Sequence, residues 1–215
     1  MKIFLDTADT SIITKHFASG LIDGVTTNPT LIKKSGRDPL EVYQELKDLG
    51  LQDISMEVVG DADEMIKEGK GLYDTFGDCC TVKVPCSPDG LRACKELSEA
   101  GIRVNVTLIF SQVQAILASK AGAKYVSPFV GRVDDNSFGG ICLVKDIVNV
   151  FKEHFTTTEV LAASIRNVRD VGRLFEHGAE IVTMPPAVFE KMYNHILTDK
   201  GLELFQADWE SVHNT

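Results

Sequence analysis

Cys80-Thr81-Val82-Lys83-Val84-Pro85 is a short run of β-branched and apolar side chains with one amine near its middle. Such a run reads as a buried strand. The period of two along a strand sends Thr81 and Lys83 to one face and Val82 and Val84 to the other. An ammonium in that setting is costly unless something compensates for it. Burial disfavours the charged form and lowers a lysine's pKa, which frees a nucleophilic amine near neutral pH for Schiff-base formation with a carbonyl. A lysine at the strand end that snorkels to water is the other reading of this fragment. The remaining strands decide between the two.

Seven further runs of the same kind surround this one: Lys2–Asp6, Gly24–Thr27, Asp53–Val58, Arg103–Leu108, Tyr125–Phe129, Glu159–Ser164 and Ile181–Met184. Most are separated by helical periodicity, as in Leu40, Tyr43, Leu46, Leu49, then Leu91, Cys94, Leu97, then Val113, Ile116, Leu117. Asp9, Asp38-Pro39 and Ser87-Pro88 mark helix starts, and Gly20, Gly50, Gly101, Gly122 and Gly178 mark stops. Strand–helix alternation repeated in this way predicts an α/β fold, a compact (β/α)8 TIM barrel. A doubly wound open sheet is the alternative, but it calls for a Gly-rich phosphate loop after the first strand, and there is none. We read residues 1–215 as one domain, with 196–215 a C-terminal helical tail. Leu197, Leu202, Leu204, Phe205 and Trp209 give the tail apolar anchors, for its own barrel or for a neighbouring subunit.

Applying the strand period to every run gathers polar groups on one parity. That parity holds Phe4 with Asp6, Thr26 with Asn28, Ser55 with Glu57, Thr81 with Lys83, Asn105 with Thr107, Ser127 with Phe129, and Ser164 with Arg166. The opposite parity is apolar and suits packing against outer helices. Each polar residue alone has a bland role: Asp6 capping the next helix, Asn28-Pro29 starting one, Thr107 and Ser127 as core hydroxyls, Phe129 as core, Arg132 on the surface. Together they place an amine, two carboxylates, amides, hydroxyls and a guanidinium toward the C-terminal strand ends, where barrel active sites lie. The histidines at 16, 154, 177, 195 and 213 fall in helical or terminal segments and are expected to be solvated or capping. Gly139-Gly140 is expected to form a loop before a helix. Asn105-Val106-Thr107 spells a glycosylation sequon on what reads as a buried strand, so modification is not expected.

Composition narrows the partners. The chain is 44% apolar and 25% charged, in the range of ordinary soluble domains. Its net charge of −9 disfavours nucleic acid and anionic membrane surfaces. No apolar run is long enough to span a bilayer, and an acid at position 6 comes too early for a signal peptide. Five irregularly spaced cysteines, without a C-x-x-C or a partnered histidine, predict free thiols, a cytoplasmic setting and no zinc.

Six segments in order resemble the transaldolases: Phe4-Leu5-Asp6-Thr7-Ala8, Gly24-Val25-Thr26-Thr27-Asn28-Pro29-Thr30, Val82-Lys83-Val84-Pro85, Asn105-Val106-Thr107-Leu108-Ile109-Phe110, Ser127-Pro128-Phe129-Val130-Gly131-Arg132 and Ala163-Ser164-Ile165-Arg166. The resemblance is closest to the short subfamily, which includes the fructose-6-phosphate aldolases. It implies a (β/α)8 barrel with the Schiff-base lysine on strand four, no metal or organic cofactor, and sugar phosphate substrates of the pentose phosphate pathway. It also implies a homo-oligomer, a decamer of two pentameric rings with C-terminal helices reaching across subunits. By this resemblance Lys83 attacks the ketose carbonyl, Asp6 shuttles a proton, and Glu57 with Thr107 handles water. Asn28, Asn105 and Ser127 hold the dihydroxyacetone part, and Arg132, Ser164 and Arg166 hold the phosphate. Fructose-6-phosphate aldolases carry Gln at the position of Glu57 and Tyr at that of Phe129. The residues here therefore imply transfer of a dihydroxyacetone unit rather than simple aldol cleavage. A fructose-6-phosphate aldolase and a non-catalytic sugar-phosphate-binding barrel are the rivals.

Overall fold

All eight runs form strands in the computed structural model, which describes residues 1–213. They are β1 (Lys2–Asp6), β2 (Gly24–Thr26), β3 (Ile54–Glu57), β4 (Cys80–Pro85), β5 (Val104–Ile109), β6 (Tyr125–Pro128), β7 (Glu159–Ala162) and β8 (Ile181–Met184). The strands are parallel and close into a barrel in sequence order, β8 pairing back onto β1. Several are a residue or two shorter than the sequence pattern, because the chain turns away at the active end once pairing stops. Around the barrel lie α1 (Thr10–Phe17), α2 (Pro29–Ser35), α3 (Pro39–Asp48), α4 (Ala62–Phe76), α5 (Pro88–Glu99), α6 (Gln112–Lys120), α7 (Val130–Asp135), α8 (Gly140–Glu153), α9 (Val168–Glu176) and α10 (Pro186–Lys191). The tail is α11 (Ile196–His213); Asn214 and Thr215 fall outside the described residues.

The helix starts are capped as the sequence suggests. Asp9 Oδ1 accepts the backbone N–H of Ser11 and of Ile12, so Asp9, not Asp6, caps α1. Asp38 caps α3 and Ser87 caps α5 in the same way. Each such cap is worth about 1 kcal/mol. Gly139 precedes α8 as its N-cap residue, and the N–H of Gly140 donates to Asp134 Oδ1 near the end of α7.

The apolar parity packs outward. Leu5, Val25, Met56, Val82, Val84, Val104, Val106, Val126 and Val182 all join the core between barrel and helices. Burying each aliphatic side chain contributes about 1.5–3 kcal/mol. Inside the barrel a smaller cluster of Phe4, Tyr125, Leu161 and Ile181 fills the lower part, and Ala163 packs on it from the cavity side. Gly24 is required there: a Cβ would stand 2.6 Å from the Phe4 ring and 2.7 Å from the Asp53 carbonyl oxygen. The N-terminal end is closed by Asp53, whose carboxylate accepts Thr81 Oγ1 at 2.8 Å, the Tyr125 hydroxyl at 2.6 Å and Arg103 Nη1 at 3.1 Å.

Two expectations fail. The face of α6 is not Val113, Ile116 and Leu117, which are exposed. Ala115 and Ala118 are buried instead, because their small side chains let the helix sit close to the strands. His16 is not solvated: it is buried, edge-on to the Phe189 ring at 5.3 Å, with Nε2 3.2 Å from Glu190. The cysteines are free thiols, and burial pushes Cys80 up to about 12 and Cys94 to about 11, which keeps both unreactive. No helix of the described residues is long and apolar enough to cross a membrane.

Candidate active site

Lys83 lies in the middle of β4 with its side chain inside the barrel, and only 5% of the residue is exposed. The snorkelling alternative is thereby removed. Register places Glu57 of β3 on one side and Asn105 of β5 on the other. Nζ stands 3.0 Å from Glu57 Oε2 and donates to the Thr27 carbonyl oxygen at 3.0 Å. A carboxylate in this position offsets the desolvation of the ammonium and can also receive its proton.

Asp6 ends β1, and its Oδ1 accepts Thr26 Oγ1 at 2.8 Å. Burial pushes its carboxyl above the usual range; the charge of Lys83 and the bond from Thr26 oppose that rise. The pull toward the protonated form suits a group that must hold a proton and give it back.

Thr107 faces the cavity by the same alternation that places Asn105 inside, and β5 breaks just beyond it. Pairing of β5 with β6 shifts register between Val106 and Ile109, and Leu108 takes a left-handed φ of 60°. Thr107 Oγ1 is buried and has no hydrogen-bond partner among the described residues. A buried hydroxyl left unbonded costs about 1–3 kcal/mol, so this oxygen marks a place for a water or a substrate oxygen.

Deeper down, Asn105 is fully buried. It donates to Ser55 Oγ at 3.2 Å and accepts Ser127 Oγ at 2.7 Å. At the rim, Asn28 shows that its bland and functional readings coexist. Its Oδ1 accepts the N–H of Leu31 as the cap of α2, while the residue also lines the cavity.

Phe129 and Arg132 flank the mouth, the guanidinium 4.9 Å from the ring centroid. Arg132 has no carboxylate partner among the described residues and is free to meet an anion. Ser164 holds a φ of 61°, and its carbonyl oxygen accepts the N–H of Gly131 at 3.0 Å. The approach is so close that a Cβ on Gly131 would stand 2.3 Å from that oxygen. Left-handed serine costs roughly 1 kcal/mol or more and is typical of functional sites.

These groups line one cavity of about 110 Å³, which continues into a hollow bordered by Glu57 and Leu108. Of the expected residues, Asp6, Asn28, Lys83, Thr107, Ser127, Phe129, Arg132 and Ser164 line the cavity itself. Glu57 borders the adjoining part. Asn105 lies beneath the lining. Arg166 is turned aside, exposed and paired with Asp135 at 2.7 Å. Sequence reasoning assigned no role to Thr26, Ala163 and Thr183, which also line the cavity. Thr26 stood on the inward parity without a role, and the same parity on β8 was the signal available for Thr183. No cluster of His, Cys, Asp or Glu among the described residues is placed to hold a metal ion.

Comparison with known proteins agrees with this geometry. The family model described as Transaldolase/Fructose-6-phosphate aldolase matches residues 3–215. A probable transaldolase of Cereibacter sphaeroides is 51% identical, covering 100% of this chain and 98% of the relative. One from Paracoccus denitrificans is 52% identical over 97% and 96%. One from Nitrosopumilus maritimus is 50% identical over 99% and 96%. A buried lysine on the fourth strand of a closed barrel, in a match this complete, leaves one conclusion: the chain belongs to the transaldolase/fructose-6-phosphate aldolase family.

Proposed function

We propose that this enzyme is a transaldolase acting through a Schiff base on Lys83, moving a dihydroxyacetone unit from a ketose phosphate to an aldose phosphate. The observation that carries the reading is Lys83 Nζ, buried in the cavity and 3.0 Å from the Glu57 carboxylate. The amine adds to the ketose carbonyl and Glu57 receives its proton. Glu57 returns that proton as water leaves the carbinolamine, and the unbonded Thr107 hydroxyl holds the water. Asp6 then takes the proton of the hydroxyl at the bond being cleaved. The bonding pair flows into the iminium, leaving an enamine on Lys83 and a free aldose. The acceptor aldehyde meets this enamine and the steps run in reverse. Asn28, Asn105 and Ser127 hold the three-carbon part. Arg132 and Ser164 hold the phosphate, and Arg166 joins them by exchanging Asp135 for it. Arginine's fork suits that anion.

Phe129 decides between transfer and release. It places a ring without a hydroxyl at the mouth, so no phenol is available there to help water free the three-carbon unit. Omitting erythrose 4-phosphate or glyceraldehyde 3-phosphate from a fructose 6-phosphate assay is expected to stop turnover. Phe129→Tyr is expected to raise release of free dihydroxyacetone without acceptor by about 10²-fold or more, the lower end of the scale on which a positioned proton donor acts. Turnover undiminished without acceptor makes the enzyme an aldolase; sugar phosphate binding without turnover makes it a binding barrel.

We also propose a homo-oligomer built through α11, of decameric size by family resemblance, in the cytoplasm. Ile196, Leu197, Leu202, Leu204, Phe205, Trp209 and Val212 are between 61% and 73% exposed, and no described residue of α11 is buried. Helices in proteins gain most of their stability from packing an apolar face. The full chain is expected to sediment as a large assembly, and Phe205→Asp to shift it to smaller species. A monomer in both cases removes the proposal.

A further inference from the structure

Asp6 does not end its contacts at Thr26. Thr26 Oγ1 lies 2.8 Å from Asp6 Oδ1 and 2.7 Å from Thr183 Oγ1. Thr26 is 2% exposed and Thr183 is 1% exposed, so beyond one another their hydroxyls can turn only to the cavity they line. Thr183 comes from β8, where register sets it opposite Phe4, two residues before Asp6. The three oxygens therefore form a line across β1, β2 and β8 along the cavity wall.

Proton counting fixes what this line can do. A hydroxyl carries one hydrogen. When Asp6 is ionised it only accepts, so Thr26 spends its hydrogen on Asp6 and must accept one from Thr183. When Asp6 is protonated on Oδ1, its O–H donates to Thr26, and the Thr26 hydrogen turns to Thr183. With the proton on Oδ1, the two states take opposite orientations of both hydroxyls. The ionised state fills both links with two hydrogens; the protonated state has three, and the spare one, on Thr183, turns into the cavity that Thr183 lines. Each hydroxyl keeps its own hydrogen and rotates about its Cβ–Oγ bond, so no proton leaves the site.

We infer that Thr183 is a positioning residue for Asp6, acting through Thr26 as the far end of a reversible hydroxyl chain that serves both the proton-accepting and the proton-returning state. The inference rests on the reading of Asp6 as the proton carrier. The ionised state gains more from the chain, because bonds to a charged acceptor are the stronger ones and successive bonds reinforce one another. Thr183 therefore favours the carboxylate. Burial favours the acid, and the Lys83 ammonium on β4, itself paired with Glu57 on β3, favours the carboxylate. Those groups are unchanged by substitution at Thr183.

The test is the acid limb of kcat/KM for cleavage of fructose 6-phosphate, measured for the wild type, Thr183→Val, Thr183→Ser and Asp6→Asn. Valine keeps the shape of threonine and removes the oxygen. The limb is expected to move up by roughly half to one pH unit in Thr183→Val, and to stay at the wild-type pH in Thr183→Ser. An unmoved limb in Thr183→Val, or an equal movement in Thr183→Ser, overturns the chain while leaving Asp6 as proton carrier. A wild-type limb persisting in Asp6→Asn overturns the role of Asp6 and the chain with it.

Discussion

Replacing Lys83 by methionine is expected to reduce sugar exchange by on the order of 10⁴-fold or more, the scale seen when a covalent nucleophile is removed. Borohydride added with fructose 6-phosphate is expected to fix a three-carbon mass at Lys83 in the wild type and nothing in the variant. The reason lies in the barrel's geometry. Nζ is held by Glu57 and by the Thr27 carbonyl, each at 3.0 Å, in a wall where the described lining offers no second amine. Methionine fits the space but strands Glu57, whose side chain is 13% exposed. An acceptor left unpaired there costs about 1–3 kcal/mol, so a modest drop in thermal stability is expected, and circular dichroism separates it from misfolding. Exchange at full speed in a folded Lys83→Met protein, or a three-carbon adduct on another lysine, removes the mechanism.

The placement of Lys83 was legible because strand parity is a rigid geometric rule. Val82 and Val84 could face the helices only if Lys83 faced the barrel interior, and both are fully buried in the outer core. The same rule put Asp6, Glu57 and Thr107 inside. It stops at the strand ends. Arg166 follows Ser164, whose left-handed φ of 61° breaks the alternation, and the guanidinium turns to Asp135. Helical faces were less legible, because hydrophobicity alone does not say how near a helix lies to its sheet. On α6 the close approach selected Ala115 and Ala118 over bulkier neighbours. Thr183 escaped notice for another reason. One hydroxyl between Val182 and Met184 looks like ordinary core until its partner, 157 residues away in sequence, is seen beside it.

Asp6→Asn separates the two halves of the proposed chemistry. Asparagine has the shape of the carboxylate and can still accept from Thr26, but it cannot take a proton from the sugar hydroxyl. Loss of a positioned general base typically costs 10²–10⁴-fold, and a fall of about that size is expected in the cleavage rate. Lys83 and Glu57 are untouched, so addition of the amine to the ketose should proceed. The trapped species then changes identity: borohydride should fix the whole hexose phosphate at Lys83, where the wild type yields the three-carbon unit. The two variants thus fail differently, Lys83→Met before any covalent bond forms and Asp6→Asn after it. If Asp6→Asn cleaves at the wild-type rate, another group moves the proton, and the raised carboxyl at the end of β1 reflects only its burial. If it traps no sugar at all, Asp6 acts in forming the Schiff base, and the division of labour between Asp6 and Glu57 must be reversed.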